Sequence, residues 1–159
     1  MMQNREVFLR RWEPEDAETF FAASNDPALH AMMNPDFPKT ADACRQAVCR
    51  FVSCPDEEAY IRAVLIDGCV VGCIAAFPDG DSAELAYWLA LPYRGRGIMP
   101  GLLISFAGLL FRRFPALERL HAAPLPQNYA SHRALEKAGF RRDGTEWSFS
   151  RPSQEGVLP

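Results

Sequence analysis

Leu89-Ala90-Leu91-Pro92-Tyr93-Arg94-Gly95-Arg96-Gly97-Ile98-Met99 is the stretch on which the reading of this chain turns. Before it, Ala83–Leu89 has the composition of a strand. After it, Pro100–Arg113 has helical spacing, with Leu103, Phe106, Leu110 and Phe114 in register. A strand therefore enters a helix through a turn with two glycines. The first N–H groups of a helix lack backbone partners and sit at the positive end of its dipole. Glycines have no Cβ, so a ligand can approach such a turn closely. The combination is an anion cradle of phosphate size. Arg94 and Arg96 add charge beside it, and arginine binds phosphate bidentately. A P-loop would need a lysine and a hydroxyl that do not follow Gly97, and a dinucleotide-binding turn would need a third glycine where Met99-Pro100 stand. A plain strand-to-helix turn and a ligand cradle both remain open on these residues alone.

Working outward, the pattern is a mixed α/β sheet. Val7–Arg10 reads as a short strand, and Glu13-Pro14-Glu15-Asp16 starts a helix, with proline in the first turn and acids near the positive dipole end. Asn25 to Lys39 reads as loop with at most a short turn of helix. Thr40 caps a second helix whose Ala43, Ala47, Val48, Phe51 and Val52 share a side. Tyr60–Ile66 and Cys69–Ala76 flank Asp67-Gly68, a strong hairpin signal, and Ala83–Leu89 completes an antiparallel meander. Downstream come a strand at Arg119–Ala123, a helix at Ser131–Ala138 stopped by Gly139, and strands at Phe140–Arg142 and Trp147–Ser150. Residues 1–150 form one domain in this reading, and 151–159 a frayed C-terminal tail.

Composition narrows the function classes. With 159 residues, 48% hydrophobic and 23% charged, the chain builds one ordinary soluble domain. A net charge of -3 argues against nucleic-acid binding by broad charge neutralisation. No signal-peptide pattern precedes the first strand, and Leu102–Phe111 is too short to span a bilayer, which takes about 20 residues. Five cysteines without a CxxC pair and three scattered histidines give no metal site; the cysteines read as reduced, small hydrophobes in a cytoplasmic protein.

A second segment, Asn128-Tyr129-Ala130-Ser131-His132-Arg133-Ala134-Leu135-Glu136-Lys137-Ala138-Gly139-Phe140, changes the balance. Each residue has a bland reading: Asn128 a helix cap, Glu136-Lys137 a solvated face, Gly139 a helix stop. Taken together with the glycine turn, the pair resembles the two signatures of the GNAT superfamily of N-acyltransferases, in the family's order. Arg94–Met99 is similar to [QR]-x-x-G-x-[GA], and Asn128–Phe140 to N-x-x-[AS]-x-x-x-x-E-K-x-G-F. Met99 departs from the small residue expected at the end of the first, and Pro100 removes the next N–H; a methionine there is a feature of the RimJ/RimL-like branch. Ser82–Leu89 resembles that branch's A-E-[IL]-[GA]-Y-W-[IL] strand.

The resemblance implies a GNAT-like fold, a central, mostly antiparallel twisted sheet flanked by about four helices. It implies acetyl-CoA as co-substrate, with its pyrophosphate held by Arg94, Gly95, Arg96, Gly97, Ile98 and Met99. A bulge at the end of the glutamate strand would splay it and open a slot for pantetheine, with Leu89 offering a backbone N–H to the thioester carbonyl. Asn128 would hold the pantetheine arm or a water. Amine acetylation needs a base for the amine, whose pKa is roughly 10 in water, a donor for the developing oxyanion, and help for the leaving thiolate. The resemblance makes Glu84 the base, acting through water; its alternative is a solvent-facing residue at a sheet margin. Where many relatives carry a tyrosine acid, this chain has Leu135, so Ser131 is the substitute, with an ordinary early-helix serine as its alternative. Trp12, Met32-Met33 and Phe37 belong to the acceptor pocket or to the core.

The expected function is N-acetyl transfer to a primary amine, on a protein N-terminus or a small molecule, by direct attack in a ternary complex. No nucleic-acid or membrane partner is expected, and the resemblance leaves a homodimer open. The alternative is a catalytically inactive acyl-CoA-binding or sensing domain.

Overall fold

The computed structural model describes residues 6–153. Seven strands form one sheet in the order β1-β2-β3-β4-β5-β7-β6. They are β1 (Val7–Arg10), β2 (Tyr60–Ile66), β3 (Cys69–Asp79), β4 (Ser82–Leu89), β5 (Arg119–Ala122), β6 (Arg141–Asp143) and β7 (Glu146–Ser150). Every neighbouring pair is antiparallel except β4 with β5, which is parallel. The helices are α1 (Ala17–Ser24), α2 (Pro27–Ala31), α3 (Ala41–Ser53), α4 (Ile98–Arg113) and α5 (Tyr129–Lys137). The expected mixed sheet is present, and the short turn of helix allowed within Asn25–Lys39 is α2: Asp26 caps it, accepting from Ala28 N at 2.8 Å, ahead of Pro27 at its first position.

The hairpin at Asp67-Gly68 forms as the dipeptide dictates, with φ of 52° and 78° at its two residues, the positive pair that matches strand twist. Thr40 Oγ1 accepts from Ala43 N at 3.0 Å and starts α3. That helix buries Cys44, Ala47 and Val48 and leaves Val52 exposed, a turn of the face away from the expected set. Of the cysteines, Cys44 and Cys73 are buried, whereas Cys49 and Cys69 are exposed and do not act as core hydrophobes.

Both faces of the sheet are covered, which explains why β2 and β3 read as near-continuous apolar runs. One face carries α4 and α5: Leu103, Phe106, Leu110 and Leu135 pack over Val64, Ile74, Leu85 and Leu120. The other carries α1 to α3, where Phe20, Leu29, Cys44 and Val48 meet Ala63, Cys73 and Trp88. A fully buried side chain of the Leu or Phe class contributes about 1.5–3 kcal/mol. The tail read as frayed is anchored at its start: Arg151 N donates to Glu118 O at 2.7 Å, and the Arg151 guanidinium to the carbonyls of Leu117 and Phe114. Residues 154–159 of that tail, and residues 1–5, lie outside the described residues.

Candidate active site

The site lies where β4 loses a neighbour. β5 pairs with β4 only over Ser82–Glu84, so Leu85–Leu89 has β3 on one side and no strand on the other. The opening does not come from a bulge in β4, as expected. β4 keeps unbroken register with β3 from Ser82 to Leu89; the irregularity is on the far side, between β2 and β3, where Val71 has no residue of β2 opposite it. Gly72 makes the β3–β4 contact possible: a Cβ there would lie 2.3 Å from the Trp88 carbonyl oxygen.

Ala90 N donates to Val71 O at 2.8 Å, and Gly72 lies opposite Leu89. Partners alternate along an antiparallel ladder, so the N–H and carbonyl of Leu89 face away from β3, toward the gap. The Leu89 carbonyl accepts from Arg94 Nε at 3.2 Å. The Leu89 N–H thus points into the gap.

A cleft open to solvent runs from this gap to the glycine turn, lined among others by Leu89, Arg94, Gly95, Gly97, Ile98 and Met99. Gly95 and Gly97 have φ of 73° and 74°, which favours glycine. Gly97 is the N-cap of α4 and supplies no side-chain cap, so the amides of Gly97, Ile98 and Met99 stay at the open helix end. Pro100 contributes none. The Met99 departure from the family pattern has a physical reason: its side chain is buried in the core on α4's inner face, leaving the backbone N–H at the mouth. Burial lowers the Arg94 pKa, and Asp26 opposes this, so the cation that pins the loop to Leu89 carries a nearby countercharge. Arg96 is exposed.

A second cavity, open to solvent, adjoins on the side of α2 and is lined by residues including Met32, Met33, Glu84, Ala86 and Leu125. Tyr87, Asn128 and Ser131 line both spaces. Glu84 is exposed and sits at the last residue paired with β5, opposite Phe77. Trp12 and Phe37, weighed for the pocket, sit instead in an aromatic cluster with Phe20, Phe51 and Trp88.

Asn128 caps α5, its Oδ1 accepting from Ser131 N at 3.2 Å, while its Nδ2 reaches Met32 O at 3.5 Å. It ties the α5 start to the segment bordering the second cavity. Tyr129 is 73% exposed and turned to solvent. His132 is structural: Trp147 Nε1 donates to its Nδ1 at 2.9 Å, so Nε2 carries the hydrogen and donates to Leu125 O at 3.0 Å. Gly139 closes α5 with φ 91°, Phe140 N reaching Leu135 O and Gly139 N reaching Glu136 O, the two bonds of a Schellman stop.

The residue that sequence reasoning missed is Tyr87. Its hydroxyl lies 2.6 Å from Ser131 Oγ, and burial pushes it up to about 12, with the bond to Ser131 holding it back. Alternation along β4 put Tyr87 on the face opposite Glu84, but nothing local marks a partner on α5. Arg133 and Lys137 also line the cleft from α5, as helix positions two and six residues past Ser131. They share the i, i+3, i+4, i+7 row of Ala130 and Ala134, a row that Ser131 is not on, so placing Ser131 does not find them.

Residues 6–141 match the family model of the acetyltransferase (GNAT) domain. The curated Probable N-acetyltransferase YjcK of Bacillus subtilis (strain 168) is 24% identical over 155 residues, covering 91% of this chain and 85% of that protein. Among solved structures, the microcin self-immunity acetyltransferase MccE with acetyl-CoA and AMP superposes with a TM-score of 0.82 at 15% identity, over 94% of each chain. RimL, a ribosomal-protein alpha-N-acetyltransferase in complex with coenzyme A, gives 0.80 at 15% identity, over 93% of this chain and 95% of that one. An aminoglycoside acetyltransferase with coenzyme A and kanamycin gives 0.76 at 19% identity, over 92% and 95%. The chain belongs to the GNAT acetyltransferase family.

Proposed function

We propose that this protein is an N-acetyltransferase that moves the acetyl group of acetyl-CoA to a primary amine by direct attack in a ternary complex. One observation carries the reading: the cleft that ends on the glycine turn and the cavity that holds Glu84 meet at Tyr87, Asn128 and Ser131. Two substrates entering from opposite sides would bring their reacting atoms together at that junction.

Each residue then has a task. The amides of Gly97, Ile98 and Met99, with Arg94 and Arg96, hold the pyrophosphate of the co-substrate at the positive end of α4. Gly95 gives the turn the backbone freedom it needs. Leu89 N–H polarises the thioester carbonyl and holds the developing oxyanion. Glu84, open to solvent, accepts the amine proton through a water. Ser131 hydrogen-bonds the leaving thiolate, and Asn128 fixes the α5 start on which Ser131 sits. Relatives of this fold are named for protein N-terminal and aminoglycoside acetylation. The second cavity, with Met32, Met33 and Leu125 around one carboxylate, suits an amine on an apolar or peptide-like carrier. A protein N-terminal amine is the acceptor we favour.

Release of free thiol from acetyl-CoA, followed over a panel of peptide N-termini, polyamines, amino acids and aminoglycosides, tests the proposal. Turnover with peptide N-termini above the others is the expected result. Tight coenzyme A binding with no turnover on any amine would point to an inactive acyl-CoA-sensing domain instead.

A further inference from the structure

The 2.6 Å contact between Tyr87 and Ser131 joins two elements at the junction of the two cavities, and the proposed reaction gives Tyr87 no task. Two hydroxyl groups share one hydrogen bond, so one hydrogen remains to be directed elsewhere. A phenol is the better donor of the two and the poorer acceptor, because its oxygen lone pairs are drawn into the ring. Tyr87 therefore donates and Ser131 Oγ accepts. That arrangement turns the hydrogen of Ser131 away from Tyr87. Leu135, standing where many relatives carry a tyrosine, is fully buried and offers no hydroxyl in compensation.

Resting on the reading of the cleft as an acetyl-CoA site, we infer that Tyr87 is a positioning residue that aims the Ser131 hydroxyl hydrogen at the leaving sulfur of coenzyme A. The bonds balance without a proton leaving either residue. The carbonyl carbon gains the bond to nitrogen, whose surplus proton passes through water to Glu84; the C–S bond breaks, its electron pair goes to sulfur, and the sulfur accepts a hydrogen bond from Ser131. Magnitudes favour this over a full relay. A thiol ordinarily titrates at about 8.5, so passing a proton from Tyr87, at about 12, to the thiolate would run uphill by roughly three to four pH units. The same high value keeps Tyr87 a neutral donor at working pH.

Coenzyme A itself is the probe, so no acceptor is needed. Binding to wild type, Tyr87→Phe, Ser131→Ala and the double variant is first measured by calorimetry. The ultraviolet absorbance of the bound thiolate is then titrated against pH. A hydrogen bond to a charged group is worth enough to move the bound thiol by about one pH unit. The thiol in Tyr87→Phe should titrate about one unit above wild type, Ser131→Ala at least as high, and the double variant no higher than Ser131→Ala. Tyr93, Arg94, Arg133 and Lys137 line the same cleft and Glu84 the adjoining cavity; they are common to all four proteins, so the differences report the hydroxyl pair. A Tyr87→Phe titration that overlays wild type, or effects that add in the double variant, would overturn the inference while leaving the coenzyme A site intact. Absence of any binding by wild type would instead sink the reading beneath it, and the inference with it.

Discussion

The two ends of β4 share one strand and one register with β3, yet only one end borders the cleft that reaches the glycine turn. At Ser82–Glu84 the strand has neighbours on both sides and its backbone is spent on ladders. At Tyr87–Leu89 the β5 side is open, and the backbone N–H of Leu89, the Tyr87 hydroxyl and the cleft all use that opening. The difference is made by β5, which is only four residues long before the chain turns away at Ala122. In the proposed reading, function at this strand follows from where its neighbour stops, not from any change in the strand itself. Glu84 stands at the boundary, the last residue of the closed half and part of the lining of the second cavity.

The comparison can be broken at several points. The largest effect is expected at the boundary. Glu84→Gln keeps shape and removes the base, so kcat should fall by roughly 10²–10⁴-fold. Melting temperature should stay within a degree or two, because the side chain is exposed; a large loss of stability would make Glu84 a structural residue. Next is Gly72→Ala. The new methyl would meet the Trp88 carbonyl at 2.3 Å, and backbone must move. Overpacking of this kind costs about 1–3 kcal/mol, and because β4 shifts at its open end, coenzyme A affinity should drop in parallel. Gly68→Ala is the control: a Cβ there meets nothing within 4 Å, so only the strain of φ 78° is felt, and binding should be unchanged.

Gly97→Ala should be milder in stability, about 1 kcal/mol for a left-handed residue with open space around it, but it narrows the cradle. Calorimetry should show weaker binding of coenzyme A and a smaller effect on dephosphorylated pantetheine, which lacks the pyrophosphate. The last test is the alkaline edge of stability. Burial raises the Cys73 thiol to about 12 in the closed core and Tyr87 to about 12 at the open end. Raised folded values mean stability is fully present below the unfolded values, about 8.5 for Cys and 10 for Tyr, and is lost as pH rises through the folded ones. Denaturant midpoints should therefore decline between about pH 9 and 12, and Cys73→Ala should flatten the first part of that decline, Tyr87→Phe the second.

Much of the fold was legible. The Asp67-Gly68 hairpin, Thr40 as cap and Gly139 as stop are local signals whose physics is complete within a few residues. The strand-to-helix glycine turn was legible for the same reason. The short turn of helix allowed in Asn25–Lys39 could not be placed, because a five-residue helix among three prolines has no periodicity to read. The expected bulge in β4 was misplaced, since register depends on β2 and β5, far away in sequence. Tyr87 was legible only as a strand residue; its partner is 44 positions distant, and no local pattern encodes a contact across that separation. Arg94 is legible as a phosphate ligand, while its bond to the Leu89 carbonyl, which shapes the turn, depends on how the chain folds back between them and not on a local pattern.

The central claim is that the open half of β4 and the glycine turn together hold coenzyme A. Thermal unfolding with acetyl-CoA, coenzyme A and ATP, each at about a hundred times a plausible dissociation constant, tests it most directly. Binding at that level adds about 2.7 kcal/mol, a rise of roughly 5–10 °C for a domain of this size. The account predicts that rise with acetyl-CoA and coenzyme A and none with ATP. No shift with either thioester or thiol, or an equal shift with ATP, would contradict it.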